Sequence, residues 1–197
     1  MSRITREQLA DHVALASSIE PLLPVVDDLA ARVCRAFQAG GRVWTFGNGG
    51  SAADAQHLAG ELIGRYLRTR RPLPAASLAT DPSVVTCIAN DFGYDEVFAR
   101  QVQAEARAGD VVIGFTTSGR SPSVVKGLAA GRAAGATTVL FAGGSDGRPA
   151  ADHADIALVV PSRATARIQE MHLLLLHLLS EVVDRWAAGE DQDLDAG

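Results

Sequence analysis

Cysteine is almost absent: the chain holds only Cys34 and Cys87, far apart, which excludes a disulfide-stapled scaffold. Both read as reduced core residues, as expected for a reducing compartment such as the cytoplasm. Lysine is scarcer still, since all but Lys126 of the 18 basic residues are arginine. Positive charge as a whole is outweighed by 23 acidic residues, leaving a net charge of −5. A nucleic-acid surface normally shows a basic face, so no nucleic-acid partner is expected. Any phosphate must then be held locally, by backbone amides and hydroxyls. No run is long and apolar enough to span a bilayer, and no membrane association is expected. The most apolar stretch, Met171 to Val183, is short and carries His172, His177 and Glu181. Arg3, Arg6, Glu7 and Asp11 interrupt the first residues, so no secretory signal is visible there.

What is present suits one large α/β domain. With 197 residues and 47% hydrophobic content, the chain can close a real core. Leu, Val, Ile and Ala recur at helical spacing over Thr5 to Ile19 and Val25 to Ala39, with Pro21 and Pro24 between and Gly40-Gly41 as a stop. A short β-rich run, Arg42 to Phe46, leads into the turn Gly47-Asn48-Gly49-Gly50. Ser51 then reads as the N-cap of a helix to about Tyr66. Further strands are expected over Ala75 to Ala79, Asp110 to Phe115, Ala136 to Ala142 and Asp155 to Val160. Helices are expected from an Asp81 cap to Asn90, over Tyr94 to Ala106, after Pro122, and over Ala164 to Ala188. Strands alternating with long helices imply a parallel sheet covered on both faces. The domain is expected to occupy 1–188, with its core from about 22, and the acidic tail 189–197 to be disordered. No repeat or linker divides it.

Ligands in such sheets bind where strands end and helices begin. Two of these loops have unusual polar content. Thr116-Thr117-Ser118-Gly119-Arg120-Ser121 offers four hydroxyls and the free amides of a helix N-terminus, an anion cradle; otherwise it is a hydroxyl-rich cap. It is no nucleotide-hydrolysing loop, because no Gly-Lys-Ser/Thr follows. The Gly47 to Ser51 turn taken alone is either a tight turn or a ligand loop. His57 and Glu61 are four apart on one helix face, suited to metal ligation, proton transfer or mere solvation. On the last helix Gln169 and His177 fall within about 80° of each other, whereas His172 and His177 differ by about 140° and share no face. A histidine there is either a core residue or a catalyst. Asn90 and Asp91, just before Gly93, read equally as a helix cap or a site wall.

Together these segments resemble the sedoheptulose-7-phosphate isomerase (phosphoheptose isomerase) branch of the SIS (sugar isomerase) superfamily. The matching stretches are GNGGSAADAQHLAGELIGRY from Gly47, ASLATDPSVVTCIANDFGYDEVFARQV from Ala76, GDVVIGFTTSGRSPSVV from Gly109 and ARIQEMHLLLLHLLSEVVD from Ala166. The resemblance runs from about Leu22 to Asp184. It implies a Rossmann-like three-layer sandwich with a five-stranded parallel sheet, and a homotetramer with sites at subunit interfaces. It implies interconversion of sedoheptulose 7-phosphate and an aldose. By motif position, Thr116, Thr117, Ser118 and Ser121 would hold the phosphate. Asn48, Gly49, Gly50, Ser51, Glu61, Asn90, Asp91 and Gln169 would line the sugar. His57, Glu61, Gln169 and His177 match zinc-binding positions, and Glu61 and His177 match the proton-transferring pair. Thr116 stands where the family often has serine, and Arg120 where it often has asparagine. Non-catalytic adaptors of the same fold, which bind the bacterial replication initiator protein, and isomerases for other sugar phosphates are the alternatives.

Overall fold

The strands are apolar on both faces, and this decides the layering. In the computed structural model, which describes residues 3–190, five strands form one parallel sheet. They are β1 (Val43–Gly47), β2 (Ala75–Ser77), β3 (Val111–Phe115), β4 (Thr137–Gly143) and β5 (Ile156–Val160), in the order β2-β1-β3-β4-β5. The helices are α1 (Arg3–Ser18), α2 (Leu23–Gln38), α3 (Gly50–Ile63) and α4 (Pro82–Phe92), then α5 (Val97–Glu105), α6 (Pro122–Ala133) and α7 (Thr165–Ala187).

Alternate residues of each strand feed two separate cores rather than one. Val111, Ile113 and Phe115 of β3, with Val139 and Phe141 of β4, face α2, α3 and α7. Val112, Leu140 and Ala142 face α4, α5 and α6. Burial on both faces is why these strands read as unbroken apolar runs instead of an alternating pattern. The three-layer parallel sandwich is therefore as expected. Among the described residues no single helix is long and apolar enough to cross a membrane.

Several local expectations are corrected. The N-cap of α3 is Gly49, at φ 57° and ψ −123°, a geometry open to glycine; Ser51 lies inside the helix and is buried. The segment Tyr94 to Ala106 divides into a 3₁₀ turn, Tyr94–Glu96, followed by α5. Cys87 is an exposed thiol, not a core residue, because of α4 only Ile88 is buried; Cys34 is buried and in no disulfide. Asp81 caps α4 as expected, accepting from the amides of Ser83 and Val84. Of the acidic tail, residues 191–197 lie outside the described residues.

Helix α3 ends three residues earlier than its sequence predicts, and Asp184 of α7 is the reason. Its carboxylate takes the amides of Leu67 and Arg68 at 3.1 and 2.8 Å, so the chain leaves the helix to meet it. Arg70 donates to the same carboxylate at 2.9 Å and also to the carbonyls of Glu61 and Leu62 at the end of α3. Both side chains of the Arg70–Asp184 pair are only 1% exposed. Burial alone would push the Asp184 carboxyl up. The amides of Arg68 and Leu67, the Arg70 guanidinium and the Tyr66 amide outweigh it and hold the group below its ordinary value.

His172 is the buried histidine of α7. Its Nε2–H donates to the carbonyl of Ala142 at 3.1 Å, and the ring sits edge-on to Phe115 and Phe141. Its Nδ1 has no partner. Burial, opposed by the Ala142 bond, moves its pKa from 6.5 down to about 4.

Two outcomes follow from these buried groups. Asp184→Ala strands the Arg70 charge, and a loss of about 3–5 kcal/mol is expected from the urea midpoint. For His172 the unfolded chain binds a proton below pH 6.5 that the folded chain refuses until about pH 4, so stability rises with pH across that window. His172→Phe should flatten part of that rise in pH-dependent denaturation.

Candidate active site

Helices α3 and α7 lie side by side and run the same way, in a register fixed at three points. Gly50 meets Gln169, His57 meets His177, and the chain after α3 meets Asp184. At the first point a Cβ on Gly50 would stand 2.4 Å from the Gln169 amide nitrogen, so glycine is what allows this approach. At the second, the Nε2 atoms of His57 and His177 are 3.1 Å apart, with ring centroids 4.9 Å apart at 68°. Glu61 Oε1 stands 3.0 Å from the same His57 nitrogen. The i,i+4 spacing visible in the sequence thus becomes a three-membered cluster with a histidine from 120 residues away.

Such a triangle of two nitrogens and an oxygen, all within 4.8 Å of one another, is a fit set of donors for a divalent metal ion. Two imidazole nitrogens this close repel unless a proton or a cation lies between them. Gln169, expected as a fourth ligand, is placed against Gly50, about 12 Å along α7 from His177 at 1.5 Å per residue. Burial, and then the neighbouring His57, lower the pKa of His177, while Glu61 works the other way. Lowered basicity keeps the ring neutral and able to ligate. The cluster is open: His57 and Glu61 keep 39% and 20% of their side chains exposed, in a shallow groove bordered by Gln56, Gly60 and Arg65.

The second polar region is the loop after β3, at the point where strand order reverses between β1 and β3. Asn48, from the turn after β1, donates to Ser121 at 2.8 Å and to Ser123 at 2.9 Å. Tyr94 donates to Asn48 Oδ1 at 2.8 Å. Thr116 is buried, its amide bonded to the carbonyl of Phe141. Thr117 and Ser118 line a cavity bounded by the loops after β4 and β5. Of the four hydroxyl residues expected to act together, Ser121 bonds Asn48 while Thr117 and Ser118 border this cavity. Asn90 and Asp91 occupy the exposed end of α4 and bond each other at 2.7 Å, while Gly93 makes the cap. Gly49 and Gly50 follow Asn48 in the chain, where α3 begins.

Sequence reasoning missed Ser123, Tyr94, Tyr66 and Asp54. Tyr66 tilts against His177 with ring centroids 5.7 Å apart. Asp54 is buried on α3 with one carboxylate oxygen unpartnered; burial raises its pKa to about 6 against the pull of His57. Only Asp54 left a trace in the sequence, one turn before His57 on the same helix. The contacts of both tyrosines are decided by tertiary packing.

The chain matches the SIS domain family model over residues 10–143, which fixes its class as an SIS-domain protein. It is 50% identical over 168 residues to the phosphoheptose isomerase of Roseiflexus sp. (strain RS-1), covering 85% of each chain. It is 44% identical over 190 residues to that of Trichlorobacter lovleyi, covering 96% of each. The structure of phosphoheptose isomerase from Neisseria gonorrhoeae superposes with a TM-score of 0.85 at 36% identity, covering 91% of this chain and 96% of that one. Within the SIS-domain class, the chain belongs to the phosphoheptose isomerase family.

A divalent transition metal should bind at the three-residue cluster. Cobalt titration followed by visible absorption should show a site whose affinity falls at least about 10-fold in His57→Ala. An unaltered titration in that variant would remove His57 from the ligand set.

Proposed function

We propose that this protein is an aldose–ketose isomerase that converts sedoheptulose 7-phosphate to D-glycero-D-manno-heptose 7-phosphate through an enediol. The observation that carries this reading is the meeting of Glu61 and His177 in a chain that matches phosphoheptose isomerases over most of its length. The reaction moves one proton between C1 and C2 and another between the two oxygens. Glu61 takes the C1 proton of the ketose and returns it at C2. His177, neutral near pH 7 because its basicity is lowered, relays the oxygen proton. The hydroxyl loop, with Thr117, Ser118 and Ser121 and beside them Thr116, anchors the phosphate. Its binding energy positions the reacting carbons. Asn48, Gly49, Gly50, Ser51, Asn90, Asp91 and Gln169 complete the sugar's surroundings. Between Gly50, at the mouth of the loop, and His57 lie about 10 Å of helix, comparable with an extended seven-carbon chain.

Zn²⁺ suits the donor set of His57, Glu61 and His177 and when bound would stabilise negative charge on the substrate oxygens; Gln169, about 12 Å away along α7, lies out of reach of that set within one subunit. A carboxylate held tightly by a metal is a weaker base, so Glu61 works best when it is not a permanent ligand. The open position of the cluster supports a homotetramer with sites at subunit interfaces. A carboxylate base gains strength when water is excluded, and exposed Ile63 and Leu67 beside the groove give a second copy an apolar surface to cover. Two cysteines outside any disulfide suit a cytoplasmic location.

The test is incubation with sedoheptulose 7-phosphate, with the aldose product followed by NMR. Glu61→Gln should lower kcat at least about 100-fold with little change in KM. Near-normal turnover in that variant would refute the assignment of the base.

A further inference from the structure

The cavity on the far side of the hydroxyl loop gathers three arginines on an acidic protein. It lies over the C-terminal ends of β3, β4 and β5 and has a volume of about 390 Å³. Arg120 comes from the loop after β3, Arg148 from the loop after β4 and Arg163 from the loop after β5, and all three line it. Asp146 is the single acid there, in a chain whose net charge is −5. Arg148 shares its charge with Asp152 at 3.1 Å. The guanidinium groups of Arg120 and Arg163 make no ion pair among the described residues. Thr117 and Ser118 complete the wall shared with the phosphate loop.

This wall is built, not incidental. Gly119, at φ 67°, packs so closely that a Cβ would stand 2.3 Å from the carbonyl oxygen of Gly147. The Gly119 carbonyl also accepts the amide of Ala150 at 2.9 Å. The loops after β3 and β4 are therefore joined backbone to backbone, and the amide of Gly144 ties the second of them to the carbonyl of Ser162, after β5. Three arginines from three loops are held around one space, and planar guanidinium forks are matched to phosphate oxygens.

We propose that this cavity is a second anion subsite, adjoining the phosphate loop, and that it takes the second phosphate group of a diphosphate-bearing metabolite. One phosphate rests on the loop hydroxyls, and the next falls among Arg120, Arg148 and Arg163. The volume far exceeds what a phosphate group fills, a water's share of liquid being about 30 Å³, so an organic substituent fits beside it. Because Thr117 and Ser118 belong to both regions, a ligand of this kind excludes the substrate phosphate. The subsite depends only on charge and shape, and stands whichever sugar phosphate the enzyme isomerises.

Calorimetric titration of the full chain with inorganic pyrophosphate and orthophosphate tests it. Pyrophosphate is expected to bind at least about 10-fold more tightly, the scale of one charged hydrogen bond. Arg163→Gln and Arg120→Gln, both exposed and so compatible with folding, should erase that preference while leaving orthophosphate binding within about 2-fold. Arg107→Gln removes the same charge before β3, at the opposite, N-terminal end of the strands, and should retain the preference. Equal affinity for the two anions in the wild type, or the same loss in Arg107→Gln, overturns the proposal. Failure of the isomerase assay would leave this outcome untouched, so the two readings are distinguishable.

Discussion

The register between α3 and α7 is the constraint on which the candidate site depends. Gly50 against Gln169 fixes one end, and the Arg70–Asp184 pair fixes the other. Between them His57, Glu61 and His177 have no freedom to drift apart, because a helix is stiff over two turns. A shift of one residue would rotate His177 by about 100° and carry it off the shared face. The buried ion pair is therefore more than a local contact. Arg70 holds carbonyls at the end of α3 while Asp184 holds the amides of the chain that follows, so the terminus carrying Glu61 is tied directly to α7.

The same helices show why one protein can keep neutral and charged polar groups in close proximity. His172 and His177 are five residues apart on α7, yet the first points into the sheet and the second toward α3. Full burial makes His172 a neutral donor to one carbonyl. His177 is only partly withdrawn from water and stays in reach of a carboxylate and a second imidazole. The difference in environment, not in residue type, assigns one to the core and leaves the other in the donor cluster with His57 and Glu61.

At the ends of the strands, the hydroxyl loop separates two concavities of different character. On the β1 side the network of Asn48, Ser121, Ser123 and Tyr94 is neutral and internally satisfied. On the β4 side the wall is rich in arginine. An acidic protein that handles a phosphorylated substrate thus keeps its positive charge local. This limits long-range attraction to polyanions such as nucleic acid while keeping strong short-range contacts, since charges separated by more than about 10 Å are screened at ordinary ionic strength.

Much of this was legible from residue order alone. Unbroken apolar runs separated by helical spacing required a parallel sheet covered twice, and the i,i+4 pair of His57 and Glu61 had to share a face. The 140° offset of the two α7 histidines required different neighbours for each. These follow from fixed periodicities, which need no knowledge of what packs where. Tertiary structure alone decided which histidine meets Glu61, where α3 stops, that Ser51 is buried, that Cys87 is exposed, and that Thr117 and Ser118 border a cavity shared with the loops after β4 and β5. Each of those depends on a contact across tens of residues or more, and the distance along the chain carries no signal of closeness in space.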